Sequence, residues 1–512
     1  MAAILILDVA ALALVVFLIK RLFSWRKCRG AGSLPPGPKG WPIIGNALDW
    51  PSSHEWLTFA KWGEIYGDIM SVTVLGQPFV ILNSSTLATQ MLEKKGSIYS
   101  DRPTLFVVGE LIGWVRSVVF SPYGPRLRDM RRLFAQLLGS RKSASRYMSL
   151  IETETRRCMV RFLHLSEHGD VDIVKPVRKT SGAIILAISF GYQVKESEDP
   201  FVNTAEAVME EFSVASAPGA FLVDILPILQ YLPEWMPGGG WKKKVAACAK
   251  NFDAMYEKPI DYVKKQLAAG VDAQCFAAIH IGAGVDSARE ELVKMAAHGM
   301  YAGGADTTVS TNTSFILMMM LHPDIQKKAQ AEVDVVVGPD RFPELADRNE
   351  LPYVSALCSE ILRLHPVVPS GIIHRLTEDD VHAGYFIPKG TYVIANIWQH
   401  LHDSRVYSDP FTFKPERFLG KTPERDPRDF VFGYGRRICP GNHLADLSIF
   451  TFCATILALF DISPGTAPAV DLHKVQYTTG TISHPPPFEC SLKPRSSQAE
   501  ALIRSLSPDE QQ

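Results

Sequence analysis

Phe432-Gly433-Tyr434-Gly435-Arg436-Arg437-Ile438-Cys439-Pro440-Gly441 is the stretch on which the reading of this chain turns. Gly435 and Gly441 permit backbone angles that other residues resist, so a tight loop able to approach a flat cofactor is expected. Pro440 suits the first turn of a helix, where its missing N–H costs nothing. The apolar run Leu444, Leu447, Ile449, Phe450 and Phe452 then predicts a buried helix. Cys439 is thereby placed at a helix N-terminus, where unpaired N–H groups and the dipole favour a thiolate. Such a thiolate can ligate haem iron and push electron density toward it.

Working outward, Glu360-Ile361-Leu362-Arg363 puts two opposite charges on one helix face at i,i+3. The flanks Val354, Leu357, Ile361 and Leu364 are apolar, which predicts partial burial and a need for further partners. Pro415-Glu416-Arg417-Phe418 can supply a third charge. Further upstream, a long apolar helix over 291–320 contains Ala302-Gly303-Gly304-Ala305-Asp306-Thr307-Thr308. Glycine and threonine are poor helix formers mid-helix. Gly303 and Gly304 leave space for a ligand, and the Thr307 hydroxyl can bond the Gly303 carbonyl four residues back, loosening the helix there.

The pattern F-x-x-G-x-R-x-C-x-G is filled at every fixed position by Phe432, Gly435, Arg437, Cys439 and Gly441, and so resembles the haem-binding loop of the cytochromes P-450. The resemblance makes Cys439 the axial ligand of haem b (iron protoporphyrin IX), with Phe432 and Gly441 beside the cofactor. It assigns Arg131, His374 and Arg437 to the haem propionates. Glu360, Arg363 and Arg417 become a buried triad that supports the haem loop without being catalytic. Asp306 and Thr307 become the acid–alcohol pair that delivers protons to iron-bound oxygen. One departure is Leu127, where the family commonly has tryptophan four residues before the helical arginine. Leucine donates no indole hydrogen bond. Arg126 or Arg128 is expected to compensate incompletely, so haem retention should be weaker. The wording around His374-Arg375-Leu376-Thr377-Glu378 and the GADTT run is similar to fungal microsomal members of secondary-metabolite pathways.

The rest of the chain is consistent with a single large body. It has 512 residues, 46% of them hydrophobic, and its 53 basic and 54 acidic residues leave a net charge of -1, which argues against nucleic acid as the main partner. Eight cysteines stand singly with no C-x-x-C pair, so a zinc or dithiol site is not expected. All but Cys439 read as small buried hydrophobes. Residues 2–19 are apolar except for Asp8 and are followed by Lys20, Arg21, Arg26, Lys27 and Arg29. Eighteen helical residues reach about 27 Å, close to a hydrocarbon core of about 30 Å. The charge order predicts one membrane anchor with the remainder cytoplasmic, and the microsomal resemblance implies the endoplasmic reticulum.

The expected organisation is therefore an anchor over 1–25, a basic and proline-rich hinge over 26–45, a haem-thiolate catalytic domain over 46–493 and a frayed polar tail over 494–512. A second proline-broken apolar region, 221–237, is a further candidate for lipid contact. Helical periodicity dominates at 85–95, 125–138, 145–165, 291–320, 323–336 and 353–364. Strand alternation is confined to 69–82, around Gly76-Gln77-Pro78, and 385–396, around Pro388-Lys389-Gly390. The fold class is thus mainly α with a small β portion, as the cytochrome P-450 fold implies.

The leading functional expectation is a monooxygenase that inserts one atom of O2 into a lipophilic molecule, a terpenoid first. Electrons would come from NADPH through a partner reductase, with a cytochrome b-type donor as a second source. The cavity walls are expected from 104–118, 212–222, Ala302, Gly303, Thr307 and 367–373. Basic Arg425, Arg428, Arg436 and Arg437 could steer an acidic reductase. An oxygen-independent haem-thiolate isomerase or dehydratase and a non-catalytic haem-binding sensor are the alternatives. The intact Asp306-Thr307 pair counts against both.

Overall fold

The computed structural model describes residues 32–506, apart from 237, 273, 283–284 and 467–475. The anchor segment 1–25, the first residues of the hinge, Cys28 and residues 507–512 lie outside the described residues. Helices build the body. α1 (Pro125–Leu138), α2 (Val174–Phe190) and α3 (Pro200–Ala215) are followed by α4 (Ser287–Ala305), α5 (Thr307–Leu321) and α6 (Pro352–Leu364), with α7 (Asn442–Leu459) and α8 (Ser497–Arg504) near the end. α7 is buried on nearly every side, as an all-apolar helix must be. It packs against α5, α6 and the helix Met148–Ser166.

The alternation over 69–82 gives the hairpin of β1 (Ile69–Val74) and β2 (Gln77–Leu82), in register from Ile69 opposite Leu82 to Val74 opposite Gln77. The second alternating stretch behaves differently from the expected hairpin. β3 (His374–Arg375) precedes β4 (Asp380–His382) and β5 (Tyr385–Ile387), which pair with each other. β6 (Tyr392–Ala395) lies between β2, parallel, and β3, antiparallel. Pro388-Lys389-Gly390 therefore carries the chain from one sheet to another. The physical reason is that both faces of β6 are covered: Val393 and Ile394 are both 0% exposed and belong to different apolar clusters.

Two further expectations are corrected. The single helix over 291–320 is two, α4 and α5, meeting at Asp306 with φ −128° and ψ −34°. Thr307 Oγ1 donates to Gly303 O at 2.7 Å, drawing on a carbonyl of the helix ladder where two glycines already weaken it. The tail is not frayed over its described part. Ser496 Oγ caps α8 by accepting from Ala499 N at 3.0 Å, and Ile503 is fully buried in the cluster around α7. A sequence that looks polar still spends one helix face on the core.

Candidate active site

The cysteine loop is held from both sides. Phe432 O accepts from Cys439 N at 2.8 Å, closing the loop at its base. Gly435 has φ 55°, and a Cβ there would sit 2.5 Å from Leu92 O, so only glycine lets the loop lie against the turn Thr89–Lys94. Gly441 does not need that freedom, because its φ is −96°; it is the N-cap of α7. Pro440 accordingly precedes the cap instead of opening the helix, which corrects the expected placement. Burial pushes the Cys439 thiol up, while the Gly441 N–H and Arg131 pull it down.

Above the sulfur lies a cavity of about 360 Å³ lined by Cys439, Phe432 and Gly441 on one side and by Gly303, Thr307 and Thr308 on the other. Three arginines on its rim are basic, Arg102, Arg131 and Arg437, and beside them lies His374, which burial and Arg102 push well below its ordinary value. Arg437 donates to the carbonyls of Ser100 (2.7 Å), Val118 (3.3 Å) and Ser121 (2.7 Å). Arg131 donates to Ile438 O at 2.9 Å, and His374 Nδ1 contacts Tyr99 O at 2.8 Å. Arg102, 6% exposed, donates to Ile372 O and Ile373 O. Burial and the neighbouring Arg437 push Arg102 well below its ordinary value, and burial lowers Arg437 to about 10. Among the described residues, no carboxylate lines this cavity.

Asp101 acts on both Arg102 and Arg437, but it is bonded to Arg375 and does not line the cavity, and buried cations so incompletely matched are costly. An apolar cavity with a thiol at its floor and a cationic rim therefore fits a flat guest that carries carboxylates and a thiophilic metal, and haem b is such a guest. Sequence reasoning found Arg131, His374 and Arg437 but missed Arg102. In Asp101-Arg102-Pro103 no periodic or motif signal marks an inward side chain. The expected compensation for Leu127 is corrected by the same residue. Arg126 and Arg128 are exposed and do not line the cavity, whereas Leu127, 1% exposed, does.

The α4–α5 junction separates its two candidate proton carriers. Thr307 lines the cavity; Asp306 does not. Asp306 is 4% exposed and meets His484 Nε2 at 2.9 Å and Arg178 Nη1 at 3.2 Å. Burial pushes its carboxyl up, but these two partners outweigh it and hold the group below the usual carboxylate range. Gly303 has open space where a Cβ would stand, as expected for a ligand site. At Gly304 a Cβ would come within 2.7 Å of Ile185 on α2, so that glycine also serves a close helix crossing.

Glu360, Arg363 and Arg417 come together outside the cavity lining, more deeply buried than expected. Arg363 is bidentate to Glu360 at 2.7 and 2.9 Å, and Arg417 Nε reaches the same carboxylate at 3.1 Å. The remaining guanidinium N–H groups donate to the carbonyls of Leu401, Ser408, Asp409, Pro410 and Thr412 and to Glu424. On the outer face of the loop, Arg428 is tied to Asp446 and Asp426, and Arg437 points inward. That leaves Arg425 and Arg436 of the four expected reductase contacts exposed. The upper wall uses Trp114, Val118 and Phe212 from the expected segments, together with Met209, Ile184 and Ile482, which were not expected. Residues 104–113 and 213–222 do not line it. Cys158, Cys275, Cys358, Cys453 and Cys490 are buried and Cys248 is half-buried.

The cytochrome P-450 family matches the chain over residues 35–492. A cytochrome P-450 monooxygenase numbered 208 from Postia placenta is 49% identical over 98% of both chains. The monooxygenase claR of Ampulloclitocybe clavipes is 44% identical over 93% of this chain and 89% of its own. The monooxygenase ppsD of Aspergillus oryzae is 38% identical over 92% and 91%. A thiol under an acid-free cavity with a cationic rim and a matching relative at full length lead to one conclusion: this chain belongs to the cytochrome P-450 family and is a monooxygenase.

Proposed function

We propose that the enzyme hydroxylates, or similarly oxidises, a lipophilic small molecule of a fungal secondary-metabolite pathway, with a terpenoid as the first candidate. The observation that carries this reading is the upper wall of the cavity, where Trp114, Val118, Ile185, Phe212 and Ile372 offer apolar surface and Thr307 and Thr308 the nearby hydroxyls. Such a wall binds by desolvation and orients by shape. Cys439 would ligate the iron, and Arg102, Arg131, His374 and Arg437 would hold the propionates. When bound, haem supplies the activation of dioxygen and its insertion into a C–H bond. The chain's own part is to exclude water from the apolar wall, to leave room at Gly303, and to hold a proton at Thr307 Oγ1 that Asp306 replenishes. Electrons come from NADPH through a partner reductase, with a cytochrome b-type protein as second donor. Residues 1–25 tether the catalytic domain, 46–493, to the cytoplasmic face of the endoplasmic reticulum, with 26–45 as hinge. Three relatives of similar length are monooxygenases of fungi, which supports the fungal part of this reading.

Co-expression with a NADPH-cytochrome reductase, followed by feeding of terpenoid, aromatic and alkaloid panels, tests the proposal. A terpenoid should gain the mass of one oxygen, dependent on NADPH and O2. Products only from polar substrates, or products formed without oxygen, would overturn it.

A further inference from the structure

Asp306 turns its carboxylate away from the cavity that Thr307 lines, toward Arg178 on α2 and His484 on the segment before the strand Glu489–Pro494. The Asp306 side chain is 6% exposed, that of Arg178 16% and that of His484 24%. Of its two direct partners, Arg178 cannot release a proton in a protein, whereas the imidazole of a histidine can both take and give one. The backbone fixes this contact. His484 N donates to Thr478 Oγ1 at 2.9 Å and Thr478 N donates to His484 O at 2.8 Å. Ser310 links the two partners: its Oγ donates to Ser483 O at 2.6 Å and its N to Asp306 O at 3.1 Å. The turn that presents His484 is thus bonded to the same helix, α5, that follows Asp306.

A second path from solvent exists in principle. Arg178 Nε lies 3.3 Å from Glu206 Oε1 on α3, whose side chain is half exposed. A void of about 10 Å³, near the size of one water, separates Glu206 from Asp306. That path needs a water and passes a fixed cation. The path through His484 is one hydrogen bond.

We infer that His484 is a positioning residue that returns protons from solvent to Asp306 between turnovers, an inference that rests on the Asp306–Thr307 reading above. When Thr307 draws a proton, the imidazolium gives its Nε2 proton to Asp306 Oδ2 as Asp306 passes one on, leaving a neutral imidazole beside a carboxylate that is again ionised. Solvent at the exposed ring edge restores the imidazole proton. No electron moves.

The test uses the haem-loaded enzyme with 7-ethoxycoumarin as reporter, driven either by NADPH with a reductase or by hydrogen peroxide, which brings its own protons. In His484→Gln the ratio of NADPH-driven to peroxide-driven rates should fall about tenfold, less than the roughly hundredfold or more of a general acid acting directly because the path past Glu206 stays open, and the solvent deuterium isotope effect should rise. Glu206→Gln should leave the ratio alone. If both rates of His484→Gln fall together, the residue is merely structural and the inference is wrong. A ratio lowered by Glu206→Gln and not by His484→Gln places the entry on the other side. Should Asp306→Asn leave the ratio unchanged, the underlying reading fails too. If only His484→Gln is silent, the inference alone fails. Independently of turnover, a denaturation double-mutant cycle of His484→Gln and Asp306→Asn should be non-additive; additivity would mean that the contact does not form in solution.

Discussion

Two ionic networks flank the cavity, and they are built on opposite principles. In the Glu360–Arg363–Arg417 group every side chain is between 0% and 1% exposed. There the guanidinium N–H groups end on backbone carbonyls or carboxylates, so the charges are fixed in one arrangement. In the Arg178–Asp306–His484 group one end reaches water, and Arg178 Nε is buried without a well-aligned hydrogen bond. A saturated network resists change; an incompletely satisfied one can exchange partners and protons. Neither network lines the cavity, but the second sits at the helix break next to Thr307, which does.

The largest effect expected lies between the two networks. Cys439→Ser removes the sulfur from a loop whose whole geometry presents it, so the haem-thiolate absorption and the turnover should both vanish. Retention of either would remove the basis for comparing the flanks. The next test addresses the static network. Glu360→Ala leaves two guanidinium groups buried without their carboxylate, and breaking such a group costs about 3–5 kcal/mol. Urea unfolding of the purified protein should show a loss of that size together with low haem content. A loss below about 1 kcal/mol would mean that the network is not the fixed support its burial implies.

Asp306→Asn should do the reverse, costing less stability and more turnover. Its hydrogen bond to the Arg178 guanidinium is worth about 1.5–3 kcal/mol while the carboxylate is ionised. Because the fold holds Asp306 below the usual carboxylate range, that contribution is present above about pH 4 and disappears as pH falls through the lower folded value. The stability gap between wild type and Asp306→Asn should therefore narrow on acidification. A gap that widens below pH 4 contradicts the ionised pairing.

The two flanks also differ in how far the sequence disclosed them. Phe432, Gly435, Arg437, Cys439 and Gly441 fall within ten consecutive residues, where local backbone rules act, and Glu360 and Arg363 share one helical turn. The fixed side was therefore legible. Even so, the reason offered for Gly441 was wrong, since its backbone is ordinary, whereas Gly433 at φ 77° and Gly435 at φ 55° take the left-handed angles. On the other flank, Thr307 to Gly303 was foreseeable because it spans four residues. Asp306 finds its partners 128 and 178 residues away, at positions that no periodicity marks. Arg102 is hidden for the same reason, and β6 was misassigned because alternation cannot tell one buried face from two.

Arg102 also sets the size of the smallest effect, that of Leu127→Trp. An indole N–H at 127 would face a carboxylate-bearing guest and add one charge-assisted hydrogen bond, worth about 1.5 kcal/mol, or roughly tenfold in haem loss rate. Two things reduce that gain. Leu127 is already buried in an apolar cluster, so a larger side chain strains its neighbours, although the cavity it lines takes up part of the added volume. Arg102 already presents a buried cation to the same rim. Haem transfer to apomyoglobin should therefore slow by severalfold and not by more than tenfold. Paired with Arg102→Ala, where the rim loses a cation, Leu127→Trp should gain more than it does alone, because the new donor then has no rival. An unchanged loss rate in both backgrounds would show that residue 127 does not address the propionates, and that the cationic rim alone replaces the missing tryptophan.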